Sequence, residues 1–224
     1  MKITRGVVAS LVCVAVLASS APAQERWVQM PAPSLQPYTR LNAIAALGAD
    51  EVWVAGGEGT RSSSLLPVLQ RWDGSRWKRV PIDHDVEVEV TGIDVKSGTD
   101  IWLVGNHEER MFHERSFVLH GDGTRWQDSG LLGSRLQAVR DVAADGGHVV
   151  LLGDSITVPR ILPYALSWDG TQARVTMSGT AAFESVVSAA GHTRIAGAKP
   201  RDCAGSLPAV WHRARPASSS RTCP

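Results

Sequence analysis

This sequence has almost no surplus of positive over negative charge. Its 224 residues carry 23 Lys and Arg against 22 Asp and Glu. There is no basic run and no acidic tail, so the clustered positive face of a nucleic-acid binder is not expected. Cysteine is scarce too, with three in all and no Cys-x-x-Cys pair, which argues against a redox dithiol or a cysteine-based zinc site. Gly-x-Ser-x-Gly, a phosphate loop, a dinucleotide fingerprint and His-Glu-x-x-His are all lacking. A helical period is nowhere sustained beyond the first twenty or so residues, which removes bundles and α/β architectures.

Those first residues read MKITRGVVASLVCVAVLASSAPA. Lys2 and Arg5 precede an apolar run from Gly6 to Ala18, and Ala21-Pro22-Ala23 fits a small-x-small cleavage site. The segment 1–23 is expected to be a secretory signal peptide cleaved after Ala23, its apolar run being short of the roughly 20 residues that span a bilayer. No later stretch is apolar enough to cross a membrane. The expected product is an exported, extracellular chain of one domain, 24–224. Cleavage removes Lys2 and Arg5 and no acid, leaving 21 bases against 22 acids. It also removes Cys13. The remaining pair, Cys203 and Cys223, reads as a disulfide in an oxidising compartment, with a stabilising effect of about 3 kcal/mol.

What the chain does have is a repeat. LNAIAALGADEVWVAGGEG…LLPVLQRWDGSRWKRVP is followed by VTGIDVKSGTDIWLVGNHE…SFVLHGDGTRWQDSG. Next come LQAVRDVAADGGHVVLLGDS…ILPYALSWDGTQARVTM and FESVVSAAGHTRIAGAKP…SLPAVWHRARP. Gly56, Gly105, Gly153 and Gly197 close equivalent apolar runs at spacings of 49, 48 and 44. Asp73, Asp122 and Asp169 open Asp-Gly turns. Trp53 matches Trp102, and Trp77 matches Trp126. Each unit reads as four short strands, a to d, bounded by Gly, Asp, Ser and Pro. In the first unit these fall at 41–47, 51–56, about 66–72 and about 76–81, with Asp73-Gly74 as a tight hairpin turn. The blades are expected at about 41–82, 90–130, 136–178 and 184–224.

Four such units in tandem predict an all-β fold, a β-propeller of four blades of four antiparallel strands. Arg26-Trp27-x-x-x-Pro31 repeats Arg76-Trp77-x-x-x-Pro81 at an offset of 50. The fourth unit lacks a clear strand d, so residues 25–31 are expected to complete the last blade and close the ring. An open arc that pairs with a second copy, or a piece of a longer protein, is the alternative; the chain is expected as a monomer or homodimer.

The pattern Trp-x-Val-Gly…Trp-Asp-Gly-x-x-Trp, with its N-terminal closing strand, resembles secreted bacterial propellers of the kelch and galactose-oxidase central-domain type. The Asp-Gly turns resemble the Asp-box hairpins of sialidase-like propellers less closely, because Asp73 and Asp122 lack a Ser or Thr two residues earlier. A sialidase tyrosine nucleophile or a galactose-oxidase copper site cannot be placed with only Tyr38 and Tyr164. No cofactor and no metal is expected.

Propeller geometry sets the b–c and d–a connections on one face. The b–c loops are read as long, at 57–65, 106–115, 154–161 and 198–206, and function is expected there. The binding candidates are Glu58, Arg61, His107, Glu108, Arg110, Met111, Phe112, His113, Arg160 and Arg201. The arginines could meet carboxylate or phosphate, and Met111-Phe112 is an apolar tip suited to a partner. Asp83-His84-Asp85 is the candidate acid–base cluster. The function expected is a non-catalytic binding module presenting this face to a protein or glycan partner. The alternative is a propeller-type glycoside hydrolase or polysaccharide lyase acting at the same face.

Overall fold

The structure, a computed structural model, describes residues 29, 35–61, 64–82, 89–107, 115–132, 138–157, 160–178, 182–200 and 206–212. They form fifteen strands and no helix. Blade 1 holds β1 (Tyr38–Gly48), β2 (Glu51–Arg61), β3 (Ser64–Trp72) and β4 (Trp77–Arg79). Blade 2 holds β5 (Glu89–Ser97), β6 (Asp100–His107), β7 (Arg115–Gly121) and β8 (Trp126–Asp128). Blade 3 holds β9 (Ala138–Asp145), β10 (His148–Thr157), β11 (Arg160–Trp168) and β12 (Ala173–Ser178). Blade 4 has three described strands, β13 (Ala182–Ala189), β14 (His192–Pro200) and β15 (Ser206–His212). Each sheet is an antiparallel meander in sequence order. The four are set in a ring about a central channel, which is the expected four-blade propeller. Of the segment expected to complete blade 4, only Gln29 is described, and it is not in a strand.

The repeat glycine has a steric cause. In every blade the innermost strand carries one extra residue opposite it: Asn42, Thr91, Arg140 and Glu184 are the bulged residues. Bulging drives the inner strand onto the glycine. A Cβ on Gly56, Gly105 or Gly197 would lie 1.8, 2.2 or 2.0 Å from the carbonyl oxygen of Arg40, Glu89 or Ala182, the equivalent residue each time.

The Asp-Gly turns are longer than a two-residue hairpin. Trp72 pairs with Trp77, leaving Asp73-Gly74-Ser75-Arg76 as the loop. Asp73 Oδ1 accepts from the Ser75 N–H (3.0 Å), the Ser75 hydroxyl (2.7 Å) and the Arg76 N–H (2.9 Å). Gly74 takes a positive φ of 87°. Asp122 and Asp169 repeat the arrangement with Thr124 and Thr171. The carboxylate is the turn's own hydrogen-bond acceptor, which is how Asx turns work. These bonds hold Asp122 and Asp169 at a pKa of about 2, the Thr124 hydroxyl leading for the first and the Gln172 N–H for the second.

The b–c connections of blades 1 and 3 are shorter than expected. Pairing continues to Arg61 opposite Ser64 and to Thr157 opposite Arg160, so both are extended hairpins. Residues 57–61 are polar and glycine-bearing and 154–157 are mostly polar, yet both segments satisfy backbone groups by prolonging the ladder.

Three apolar clusters fill the spaces between blades. The first joins blades 1 and 2 through Trp53, Leu69, Ile93 and Leu103. The second joins blades 2 and 3 through Trp102, Val118, Val142 and Leu151. The third joins blades 3 and 4 through Ala143, Leu152, Phe183 and Val186. Trp53, Trp102, Trp126, Trp168 and Trp211 are therefore blade-to-blade packing, whereas Trp72 and Trp77 pack on each other within blade 1. Among the described residues no such cluster joins blade 4 to blade 1. Ile44 stands where Ile93, Val142 and Val186 stand in their blades; it is 70% exposed, and they are 6%, 2% and 4%. On blade 4, Val187 and Val210 are 61% and 71% exposed, whereas their blade-3 counterparts Ala143 and Ala165 are buried. Among the described residues the ring therefore has a seam between blades 4 and 1.

Candidate functional site: the central channel

The four innermost strands line one channel of about 560 Å³. Towards the b–c face its wall is the bulge column of Asn42, Thr91, Arg140 and Glu184. A bulge re-aims one side chain, and here the four side chains differ chemically. Asn42 Nδ2 donates to the Val90 carbonyl (2.8 Å) and to Glu89 Oε1 (2.7 Å). The Thr91 hydroxyl donates to the Val139 carbonyl (2.7 Å). Arg140 donates through Nε (2.8 Å) and a terminal nitrogen (2.5 Å) to Asp154 Oδ2. Glu184 is exposed and makes no hydrogen bond or ion pair among the described residues.

Aspartates line the channel as well, and they are engaged. Asp94 Oδ2 accepts from the Ala144 N–H (2.6 Å) and pairs with Lys96 (3.0 Å). Lys96 in turn donates to the Ser188 carbonyl (3.2 Å) on blade 4. Asp141 accepts from the Val142 N–H (2.9 Å), the Val186 N–H (2.8 Å) and the Ser185 hydroxyl (3.0 Å). Burial raises the pKa of Asp141, its hydrogen bonds oppose the rise, and the charge of Asp94 adds to it. An acid–base residue needs a free oxygen facing the substrate. Asp94 Oδ2 and Asp141 Oδ2 are each committed to a backbone N–H of the next blade, so both aspartates act as latches between blades.

These latches also settle which inner edges are open. The free edges of β5, β9 and β13 are capped at Val90, Val139, Ala144, Val186 and Ser188 by side chains of other blades. Among the described residues no side chain of another blade bonds to the backbone of Leu41–Leu47. β1 is thus an uncapped edge beside the seam, with Tyr38, Leu41, Ile44 and Leu47 exposed.

Of the residues singled out from the sequence, Glu58 is buried, with its carboxylate held by the Arg79 guanidinium and the Gln36 N–H (3.3 Å). It fastens blade 1 internally and faces no open site. Arg61 is exposed at the end of β2. His107 ends β6 and Arg160 begins β11. Asp83, His84, Asp85, Glu108, Arg110, Met111, Phe112, His113, Arg201, Cys203 and Cys223 lie outside the described residues, as does the leader, 1–23. The channel group of Asp94, Lys96, Arg140, Asp141 and Glu184 escaped the sequence reading. Its one signal was register: each is on a strand a, within a few residues of the bulge.

No family model matches the chain, and no curated protein matches it. Solved structures do share its fold. One is YCF48 bound to D1 peptide, with a TM-score of 0.50 at 13% identity over 78% of this chain and 56% of that one. Others are the acylaminoacyl peptidase of Pyrococcus horikoshii (TM-score 0.46, 15% identity, 76% and 26%) and a Bombyx mori GH32 beta-fructofuranosidase in complex with sucrose (0.45, 10%, 75% and 44%). The chain spans about half or less of each neighbour's length. What the YCF48 structure shares with it is the propeller fold.

Proposed function

We propose that this protein is a non-catalytic binding module that takes an extended polypeptide segment at the channel and seam, on its b–c side. The observation that carries this reading is the β1 edge over Leu41–Leu47, whose backbone no side chain of another blade caps among the described residues and which carries exposed aliphatic side chains. Such an edge recruits an added strand, main-chain bonds supplying affinity and alternate side-chain contacts supplying selectivity. Ile44 and Val187 flank the channel from opposite sides of the seam. Glu184 and Arg140 place one free carboxylate and one half-exposed guanidinium within the same column. A glycan would favour exposed aromatic platforms; Trp53, Trp102, Trp126, Trp168 and Trp211 are spent on blade packing, and Trp72 and Trp77 are half-buried against each other within blade 1. Acid–base catalysis would require a pair of unengaged carboxylates, and Glu184 stands alone. The YCF48 structure, named for a bound peptide, shares the propeller fold.

The test is capture from a random-peptide display library and from a glycan array by the full exported chain. Peptide binding that weakens at least tenfold in Ile44→Asp supports the reading. Glycan capture or polysaccharide turnover without peptide binding overturns it.

A further inference from the structure

Three blades carry an equivalent cross-strand pair on their second and third strands: Trp53 with Arg71, Trp102 with His120, and Val150 with Ser167. In blade 1 the Trp53 indole is buried against blade 2, the Arg71 guanidinium lies 5.3 Å from its ring centre, and its N–H faces Glu51 (3.4 Å). In blade 2 the Trp102 indole is buried against blade 3, stacked on His120 at 4.2 Å, and its N–H donates to Asp100 (3.1 Å). Both blades thus fill one defined slot with an indole.

Blade 3 leaves that slot empty. With Val150 and Ser167 in place of the ring and its stacking partner, a cavity of about 230 Å³ opens between blades 3 and 4. Thr176 and Met177 border it from blade 3, and Thr193, Ile195 and Trp211 from blade 4. Trp211 enters from the opposite blade and packs edge-on against Phe183 at 5.2 Å, so it forms the far wall and leaves the slot open. Among the described residues no charged side chain borders the cavity.

We propose that this cavity is a binding site for a free planar aromatic molecule of indole size, which sits where the Trp53 and Trp102 side chains sit in the first two blades. The site is separate from the channel. An apolar cavity of roughly 150 Å³ is enough to hold benzene, so the space found here accommodates one or two fused rings. Met177 supplies a thioether suited to a ring edge or face. The Thr176 hydroxyl donates to the Ala165 carbonyl (3.2 Å) and the Thr193 hydroxyl bonds Ser188 (2.7 Å). A hydroxyl oxygen so engaged keeps acceptor capacity, which gives a ring N–H a partner.

The experiment is ligand-observed fluorine NMR with 5-fluoroindole and the full chain, comparing the native protein with Val150→Trp. The native protein should broaden the fluorine signal. Val150→Trp, which supplies the missing indole covalently, should weaken binding at least tenfold and raise Tm. No broadening by the native protein up to the solubility limit overturns the proposal, and so does undiminished binding by a folded Val150→Trp. If that variant does not fold, nuclear Overhauser contacts between the bound ring and the Met177 methyl in the native protein decide. Their presence supports the site and their absence overturns it.

Discussion

The Thr91 hydroxyl in blade 2 donates to the carbonyl oxygen of Val139 in blade 3, 2.7 Å away, across a blade boundary. Asn42 does the same from blade 1 to Val90. Val90 and Val139 are equivalent residues, each just before its own bulge. Asn106 strengthens the second boundary: Nδ2 donates to the Val139 carbonyl (2.9 Å) and Oδ1 accepts its N–H (2.7 Å). One amide side chain thus reproduces a ladder pair between two sheets. Thr91→Val should cost about 1 kcal/mol, the net worth of one hydrogen bond, since Asn106 still serves the carbonyl. Asn106→Ala should cost more, about 2–3 kcal/mol, because the Val139 N–H is buried without an acceptor. Urea denaturation of both variants checks the order.

The seam makes a paired prediction with Ile44 and Ile93, the same position in successive blades. Ile93 packs in the cluster between blades 1 and 2, and Ile44 faces outward. Ile93→Ala should cost about 2–5 kcal/mol through lost burial and the cavity left behind. Ile44→Ala should stay within about 0.5 kcal/mol. Equal losses in thermal unfolding would mean that blade 4 covers Ile44 as fully as blade 1 covers Ile93, and the seam would be closed.

Gly105 is held by contact rather than by an unusual dihedral. A Cβ there would lie 2.2 Å from the Glu89 carbonyl oxygen and 2.4 Å from the Phe117 ring. The ring could shift but the backbone carbonyl is fixed by the bulge, so Gly105→Ala should destabilise by about 3 kcal/mol. Gly130, at a positive φ of 66° with open space around it, should respond through backbone strain alone and lose about 1 kcal/mol as Ala. Thermal melts of the two variants separate steric from conformational need for glycine.

The repeat was legible because its landmarks are chemically distinctive. Trp53, Trp102 and the Asp-Gly turns recur at matching offsets, and each has one structural role. The channel was not legible, because its lining residues share a register but no chemistry. Asn42, Thr91, Arg140 and Glu184 are an amide, a hydroxyl, a guanidinium and a carboxylate at one bulge. A bulge is a property of strand pairing and leaves no composition signal in a single sequence. The b–c segments misled for a related reason. Glu58-Gly59-Thr60-Arg61 has the composition of a loop, but ladder bonds beyond the sheet carry Arg61 to pair with Ser64. The seam lies in the comparison of Ile44 with Ile93, identical residues that only their neighbours distinguish.

The turn aspartates set the behaviour in acid. Asp122 and Asp169 have folded pKa values of about 2, below the ordinary 3.8, and Asp73 is lowered further, chiefly by its bond with Lys78 and then Ser75. A depressed carboxylate stabilises the fold above its unfolded pKa, and that stabilisation is lost as pH falls through the folded value. The loss should therefore run from about pH 5 to about pH 2. Asp141 has the opposite sign. Its raised pKa means that the ionised form disfavours the fold, so its contribution becomes more favourable as pH falls towards its protonation. Three turn carboxylates against one buried aspartate make the net effect below pH 4 destabilising. Asp122→Asn and Asp169→Asn keep an acceptor oxygen in the turn but no longer titrate, so the pair of substitutions should flatten the acid limb and lower stability at neutral pH, where the ionised carboxylates contribute. Carboxyl-carbon NMR titration should place the Asp122 and Asp169 midpoints near 2 and the Asp141 midpoint above 3.8. Ordinary midpoints for the two turn residues would show that their hydrogen bonds do not persist in solution.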